Sequence, residues 1–347
     1  MSGARFDRFI TGVFVKRART CLDRFLCVRQ FESDEPYASI GWLNGVALFM
    51  PLVIHMVITN GTGNSLDMPE LVFTCASLQY LSISLITKVK TIIRSVSINL
   101  PYLTFLELTG LELHDDFAQN LFMGCPSLAR LKLSSCDLHF FSIPSEVLKE
   151  LTLINCCLHE QMQISCPDLV SLSMAIYLKR GGISLNNMSS LVNAVINLCQ
   201  YLGDDVPVLN LFGGLSNAAK LEICLDTPML KEQLEKDIPN CRNFDNLKKL
   251  VVGGKWNMSY DFYLIACLLK HSPNLKELGL MLDESLCLMQ KPQQEVSGDV
   301  LFQHEYLETV KIYDLYGTIG ELSVELFTAM MKTLNSYIKK IGNWVIF

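Results

Sequence analysis

Charge is scarce in this 347-residue chain: only 18% of its residues are Asp, Glu, Lys or Arg, while half are hydrophobic. That balance excludes a disordered polyelectrolyte, because there is ample apolar material to offset the entropy of ordering. Long apolar runs are missing too. The longest, VALFMPLVIHMVI (Val46–Ile58), falls short of the ~20 residues that cross a bilayer and contains Pro51 and His55. It reads as a buried strand. No apolar stretch lies between early basic residues and a small-residue cleavage site, so no secretory signal is expected.

Signatures of small-molecule chemistry are also absent. NGTGNS (Asn60–Ser65) lacks the third glycine of a dinucleotide turn, and GGKWNMS (Gly253–Ser259) lacks the spaced first glycine of a phosphate loop. No motif fixes a Ser-His-Asp or Cys-His nucleophile among the six histidines and many serines. Neither an enzyme nor a cofactor is expected. Cys156, Cys157, His159 and Cys166, with His139 nearby, are residue types that zinc accepts, but their spacing matches no familiar zinc module, and no metal is expected.

The net charge of −6 hides an asymmetry. Residues 1–30 carry Arg5, Arg8, Lys16, Arg17, Arg19, Arg24 and Arg29 against Asp7 and Asp23, a balance of +5 that leaves −11 for the remainder. Because these charges alternate with Phe6, Phe9, Ile10, Val13 and Phe14 at helical spacing, they read as the solvated face of an amphipathic helix. Neither a nucleic-acid nor a membrane partner is expected. Thirteen cysteines, an odd number without a signal sequence, point to a reducing compartment, cytoplasmic or nuclear.

What is present is a repeat. GCPSLARLKLSSC (Gly124–Cys136) places Leu128, Leu131 and Leu133 as L-x-x-L-x-L, and the spelling returns at first positions 78, 103, 128, 148, 169, 191, 218, 247, 275 and 307. Spacings of 20 to 32 residues cover the leucine-rich-repeat range and slightly exceed it towards the C-terminus. Cys136 and Cys156 stand where such repeats carry Asn or Cys at the bend after the strand. Cys125-Pro126, Cys166-Pro167 and Ser272-Pro273 end helical text, since proline cannot continue a helix, and return the chain to the next strand. The expected fold is α/β: a curved leucine-rich-repeat solenoid with parallel strands on its concave side and helices outside. Residues 1–45 are expected as a helical cap, 46–300 as repeats and 301–347 as the closing cap.

LFMGCPSLARLKLSSCDL, VLKELTLINC, CPDLVSLSM and GLSNAAKLEI resemble the plant F-box/leucine-rich-repeat proteins of the FBD type. The tail HEYLETVKIYDLYGTIGELSVELFTAMMKTLNSYIKKI is similar to their FBD segment, with a strand at Leu307–Tyr313 and a helix from about Gly320. FDRFITGVFVKRARTCLDRF, with Trp42 beyond, looks like the region after their F-box. No F-box spelling occurs in the chain itself. The resemblance implies a non-enzymatic receptor that binds a protein substrate for an SCF ubiquitin ligase, contacting the adaptor only where an F-box is supplied upstream. Two other readings stay open: a relative that binds or sequesters protein partners without ligase activity, and a small-ligand receptor using the stretch Leu288–Asp299.

Strand alternation puts the Leu set in the core and the intervening residues on the recognition face. The candidate contact residues are Tyr80, Phe105, Glu107, Arg130, Lys132, Glu150, Thr152, Asn193, Lys220, Glu222, Lys249, Glu277, Lys311 and Tyr313. Tyr80, Phe105, Arg130 and Tyr313 lead, because aromatic and Arg side chains anchor most protein contacts.

Overall fold

The computed structural model describes residues 3–16, 21–30, 42–59, 70–86, 90–93, 97–200, 207–238, 242–254, 261–282, 306–314 and 343–346. They belong to two compact units, Met1–Leu169 and Val170–Phe347.

In the first unit the chain forms α1 (Gly3–Lys16), β1 (Arg24–Gln30), α2 (Trp42–Ala47), β2 (Val53–Thr59), a 3₁₀ turn (Glu70–Thr74), β3 (Tyr80–Ile86), β4 (Thr91–Ile93), β5 (Phe105–Thr109) and β6 (Leu111–His114). It continues through α3 (Asp115–Gly124), β7 (Arg130–Ser134), β8 (Asp137–His139), β9 (Ser142–Pro144), β10 (Glu150–Leu158) and β11 (Met162–Ser165). Strands β1, β2, β3, β5, β7 and β10 pair side by side, all parallel. Their register aligns the repeat. Leu81, Leu106, Leu131 and Leu151 stand in one row and Ile83, Leu108, Leu133 and Leu153 in the next, each no more than 2% exposed. Fully burying such a side chain contributes roughly 1.5–3 kcal/mol.

A corner follows β5 and β7 and falls within β10. Gly110, Ser135 and Asn155 have φ of 76°, 50° and 52°, the left-handed region in which glycine and small polar residues cost least. At Gly110 a Cβ would overlap the Leu85 carbonyl. Beyond the corner Leu111, Cys136 and Cys156 turn inward, and the two thiols donate to the carbonyls of Leu108 (3.5 Å) and Leu133 (3.3 Å). Most described rungs open on a short turn whose first carbonyl accepts from the leading residue, as in Cys125 to Leu128 (3.1 Å) and Cys166 to Leu169 (3.1 Å). The rung led by Leu148 has no proline step, and there the Ser145 hydroxyl accepts from Leu148 N (3.2 Å).

In the second unit the order is β12 (Ser171–Leu178), β13 (Ile183–Asn186), β14 (Asn193–Gln200), β15 (Leu209–Asn210), α4 (Phe212–Leu215), β16 (Lys220–Leu225), α5 (Pro228–Asp237), β17 (Lys249–Gly254), α6 (Asp261–Lys270), β18 (Glu277–Leu282), β19 (Thr309–Asp314) and β20 (Asn343–Ile346). Strands β12, β14, β16, β17, β18, β19 and β20 again pair in parallel. Thr227 caps α5, its hydroxyl accepting from Leu230 N, with Pro228 at the first helical position. At the other end of α5 the buried Asp237 carboxylate accepts from Leu211 N (2.6 Å) and Phe212 N (2.9 Å).

Both units are therefore stacks of leucine-rich rungs, with fewer outer helices among the described residues than the alternating helix-strand text predicts. Rung length explains the difference. Rungs of 20 and 21 residues in the first unit return through β9 and β11, which pair with each other, whereas the 25-residue rung led by Leu103 has room for α3. In the second unit the longer rungs led by Ala218 and Leu247 hold α5 and α6. An extended strand covers the return with half the residues that a helix needs, at about 3.3 Å per residue against 1.5 Å.

Other expectations are corrected locally. Among the described residues the basic N-terminal segment is helical over α1, whereas Arg24–Gln30 is a strand whose Arg29 is buried, so the segment is not one solvated helix face. The alternating exposure along RFLCVRQ is that of an edge strand half covered by the core. Its apolar contacts join the neighbouring helices, with Phe25 5.8 Å from Trp42 of α2 and 6.3 Å from Phe14 of α1 between ring centroids. Val46–Ile58 is not one strand: Val46 and Ala47 end α2, Met50 turns left-handed (φ 48°), and β2 starts at Val53. The strand expected at Leu307–Tyr313 is β19, while the following helix and the stretch Leu288–Asp299 lie outside the described residues.

Two measurements check this packing. Leu153→Ala should lower unfolding stability by ~2–5 kcal/mol in a denaturant titration, because the site is walled by neighbouring rungs and cannot collapse. Burial pushes the Cys125 thiol up to about 12 and that of Cys166 to about 11, and a hydrogen bond with Cys136 together with burial raises Cys156 well above the ordinary thiol range. Thiol labelling of the reduced native chain at about pH 8 should therefore modify exposed Cys21 and leave these three until denaturant is added.

Candidate functional site

The face opposite the Leu rows is built by the same register. In the first unit Tyr80, Phe105, Arg130 and Glu150 occupy equivalent first positions of β3, β5, β7 and β10, and Glu107, Lys132 and Thr152 the positions two residues on. The Tyr80 and Phe105 rings stack with centroids 4.4 Å apart and planes 10° from parallel. Arg130 places its guanidinium carbon 5.0 Å from the Phe105 centroid, a cation–π arrangement. One continuous aromatic-guanidinium strip results.

Beside it lies a charged row. Lys132 Nζ meets Glu107 Oε1 at 2.8 Å, and the buried Ser82 hydroxyl donates to Glu107 Oε2 at 2.9 Å. Partial burial pushes the Glu107 carboxyl up, but the Lys132 and Ser82 hydrogen bonds and the charges of Lys132 and His55 outweigh it, leaving Glu107 below the usual carboxylate range. The row continues onto β1, where Leu26 and, two residues on, Val28 are 68% and 76% exposed. Ser82, His55, Leu26 and Val28 escaped the sequence reading. Ser82 and His55 lie between core positions of β3 and β2, as alternation would have indicated, whereas Leu26 and Val28 were hidden by the helical reading of that segment.

In the second unit Asn193, Lys220, Lys249 and Glu277 form one row, and Glu222 and Lys311 belong to the next. Glu277 is held between Lys249 (2.8 Å) and Lys311 (2.8 Å). Desolvation acts against its charge, yet the two ammonium groups prevail and lower its pKa. Tyr313 is placed by backbone register opposite Met281; its side chain is outside the described residues. Val251, on the same face as Glu222, is buried rather than available.

A second group of polar residues sits past the corners of the first unit. His114, His139 and His159 stack, with centroids 4.8 Å and 3.9 Å apart, and Glu112, Asp137 and Cys157 are aligned beside them. Of the zinc-type residues noted in the sequence, Cys156 and Cys166 are core thiols bonded to backbone carbonyls, whereas Cys157 and His159 converge with Asp137. The signal for the histidine ladder is textual: LELH, CDLH and CCLH end at 114, 139 and 159, at the spacing of the repeat itself.

Among the described residues no helix is long and apolar enough to cross a membrane. The family model described as FBD-associated F-box protein At5g56370, LRR repeats, matches residues 52–280. Comparison with curated proteins finds no match.

The lowered carboxylates fix an expected pH response. A group whose folded pKa is depressed adds stability that is fully present above its unfolded pKa and is lost as pH falls through the folded one. The denaturant midpoint of the native chain should thus drop below about pH 4.5, and Glu107→Gln with Glu277→Gln should make that drop shallower.

Proposed function

The chain belongs to the leucine-rich-repeat family of FBD-associated F-box proteins, and from that premise we propose that it is a protein-binding scaffold acting as the substrate-recognition part of an F-box-type ubiquitin ligase. The target lies against the strand face of the repeats. One observation carries this reading: the Tyr80–Phe105–Arg130 strip is aligned by a rigid backbone, outside the Leu core, with aromatic and guanidinium surface presented together. Such groups concentrate binding energy because they bury a large area with few rotatable bonds. Beside the strip the Lys132–Glu107 pair supplies a polar surround that selects partners by complementarity.

The non-enzymatic role follows from the same division of labour. The repeats hold the target, and ubiquitin transfer belongs to other subunits, reached through an F-box supplied upstream of this region. A scaffold that sequesters partners without delivering them is the competing outcome, and adaptor binding separates the two.

Affinity capture with the intact chain, with and without an upstream F-box, tests both halves. Capture of a specific protein target that is lost with Tyr80→Ala, Phe105→Ala and Arg130→Ala is expected, with at least one of the three costing about 2 kcal/mol or more in titration calorimetry. Undiminished binding by the triple variant would overturn the assignment of the face. Adaptor association only in the presence of the F-box supports the ligase role; target binding without adaptor association under either condition supports sequestration.

A further inference from the structure

The histidine ladder past the corners of the first unit is not used by the strand face, and its chemistry differs from everything around it. Asp137 and Cys157 are register partners on adjacent strands, β8 and β10, so their side chains leave the backbone about one strand spacing apart. His159 follows Cys157 by two residues and continues the pairing, its N–H donating to the Leu138 carbonyl at 3.1 Å, which returns its side chain to the same face. One ligand atom from each of the three lies within 4.8 Å of the other two. His159 Nε2 is 3.7 Å from Asp137 Oδ1.

We propose that Asp137, Cys157 and His159 bind a zinc ion. The donor set is carboxylate oxygen, thiolate sulfur and imidazole nitrogen, a mixture that suits zinc and disfavours calcium or magnesium, which take oxygen alone. In a tetrahedral zinc site with bonds of about 2.0–2.3 Å the ligand atoms stand roughly 3.3–3.8 Å apart, so rotamer-scale contraction of the present group closes it. Water takes the fourth position. His139 does not ligate: its ring lies 3.9 Å from that of His159 and 25° from parallel, so its in-plane lone pair runs alongside rather than towards the ion.

The neighbours fit a supporting part. Glu112 Oε1 accepts from His114 Nε2 at 3.0 Å and lies 3.8 Å from His139 Nε2, which holds the stack against His159. Lys90 Nζ is 2.6 Å from Asp137 Oδ1, a single positive charge on the carboxylate that zinc would take. Its side chain is one-third exposed and can swing into water. Loading therefore exchanges an ammonium for a divalent cation and releases the Cys157 thiol proton to solvent. The ion would staple two adjacent rungs where the outer return is shortest, between the rungs led by Leu128 and Leu148.

The test uses the full chain, reduced and freed of metal, titrated with Co²⁺ and then Zn²⁺. One Co²⁺ per chain is expected, with thiolate-to-cobalt charge transfer and the intense visible bands of a tetrahedral site, both abolished by Zn²⁺. Cys157→Ser should remove the charge-transfer band, and His159→Gln or Asp137→Asn should weaken Zn²⁺ binding in competition with a chromophoric chelator. Lys90→Met should tighten it, a gain that misfolding cannot imitate. Zinc should also raise the melting temperature of the native chain and of Lys90→Met, but not of Cys157→Ser. A charge-transfer band that survives Cys157→Ser, or Zn²⁺ affinity that Lys90→Met leaves unchanged or lowers, would overturn the site.

Discussion

Parallel strands held in register repeat every side chain at one strand spacing, about 4.8 Å, and nearly all else in this protein follows from that geometry. Where the repeated residue is Leu, as in the row Leu81, Leu106, Leu131 and Leu151, the result is a continuous core that no rung could bury alone. Where it is aromatic or charged, the same spacing makes a ladder: Tyr80 on Phe105 under Arg130 on one face, and three imidazoles past the corner. Backbone hydrogen bonding thus composes surfaces as well as interior. The left-handed corners at Gly110, Ser135 and Asn155 keep the two faces distinct by turning the chain at the same point in three successive rungs.

Rung length is the second variable, and it decides what lies on the outer side. Aromatic pairs accompany the helical returns of both units: Phe73 meets Phe117 of α3 edge to face at 6.1 Å, and Phe212 of α4 meets Phe244 at 5.9 Å. The recurring opening turn is equally adaptable. Most described rungs make it with backbone alone, with or without a proline step, while at Leu148 the Ser145 hydroxyl supplies the acceptor. The pattern is conserved in geometry while its spelling varies.

Much of this was legible in the residues. The L-x-x-L-x-L spacing gives the strand positions and their buried face, because alternation is a property of the pleat and needs no tertiary knowledge. Candidate residues from Tyr80 to Lys311 accordingly sit on the face opposite the Leu rows. Pairing between rungs was harder, since Lys132 to Glu107 or Lys311 to Glu277 depends on side-chain reach between strands 25 or more residues apart in sequence. Strand β1 was masked by its arginines, which suggest solvent until the sheet covers Arg29. The outer strands β9 and β11 are too short to announce a period, and the histidines were visible singly but not as a column.

Asp237 shows how far a single side chain extends this dependence. Its carboxylate, at the end of α5, closes two backbone donors at Leu211 and Phe212, so the earlier rung is finished by the later one. A nascent chain emerging from the ribosome would hold those amides unsatisfied until some 26 further residues had appeared. Assembly during synthesis would then proceed with a lag of one rung, each turn completed only once its successor has been translated.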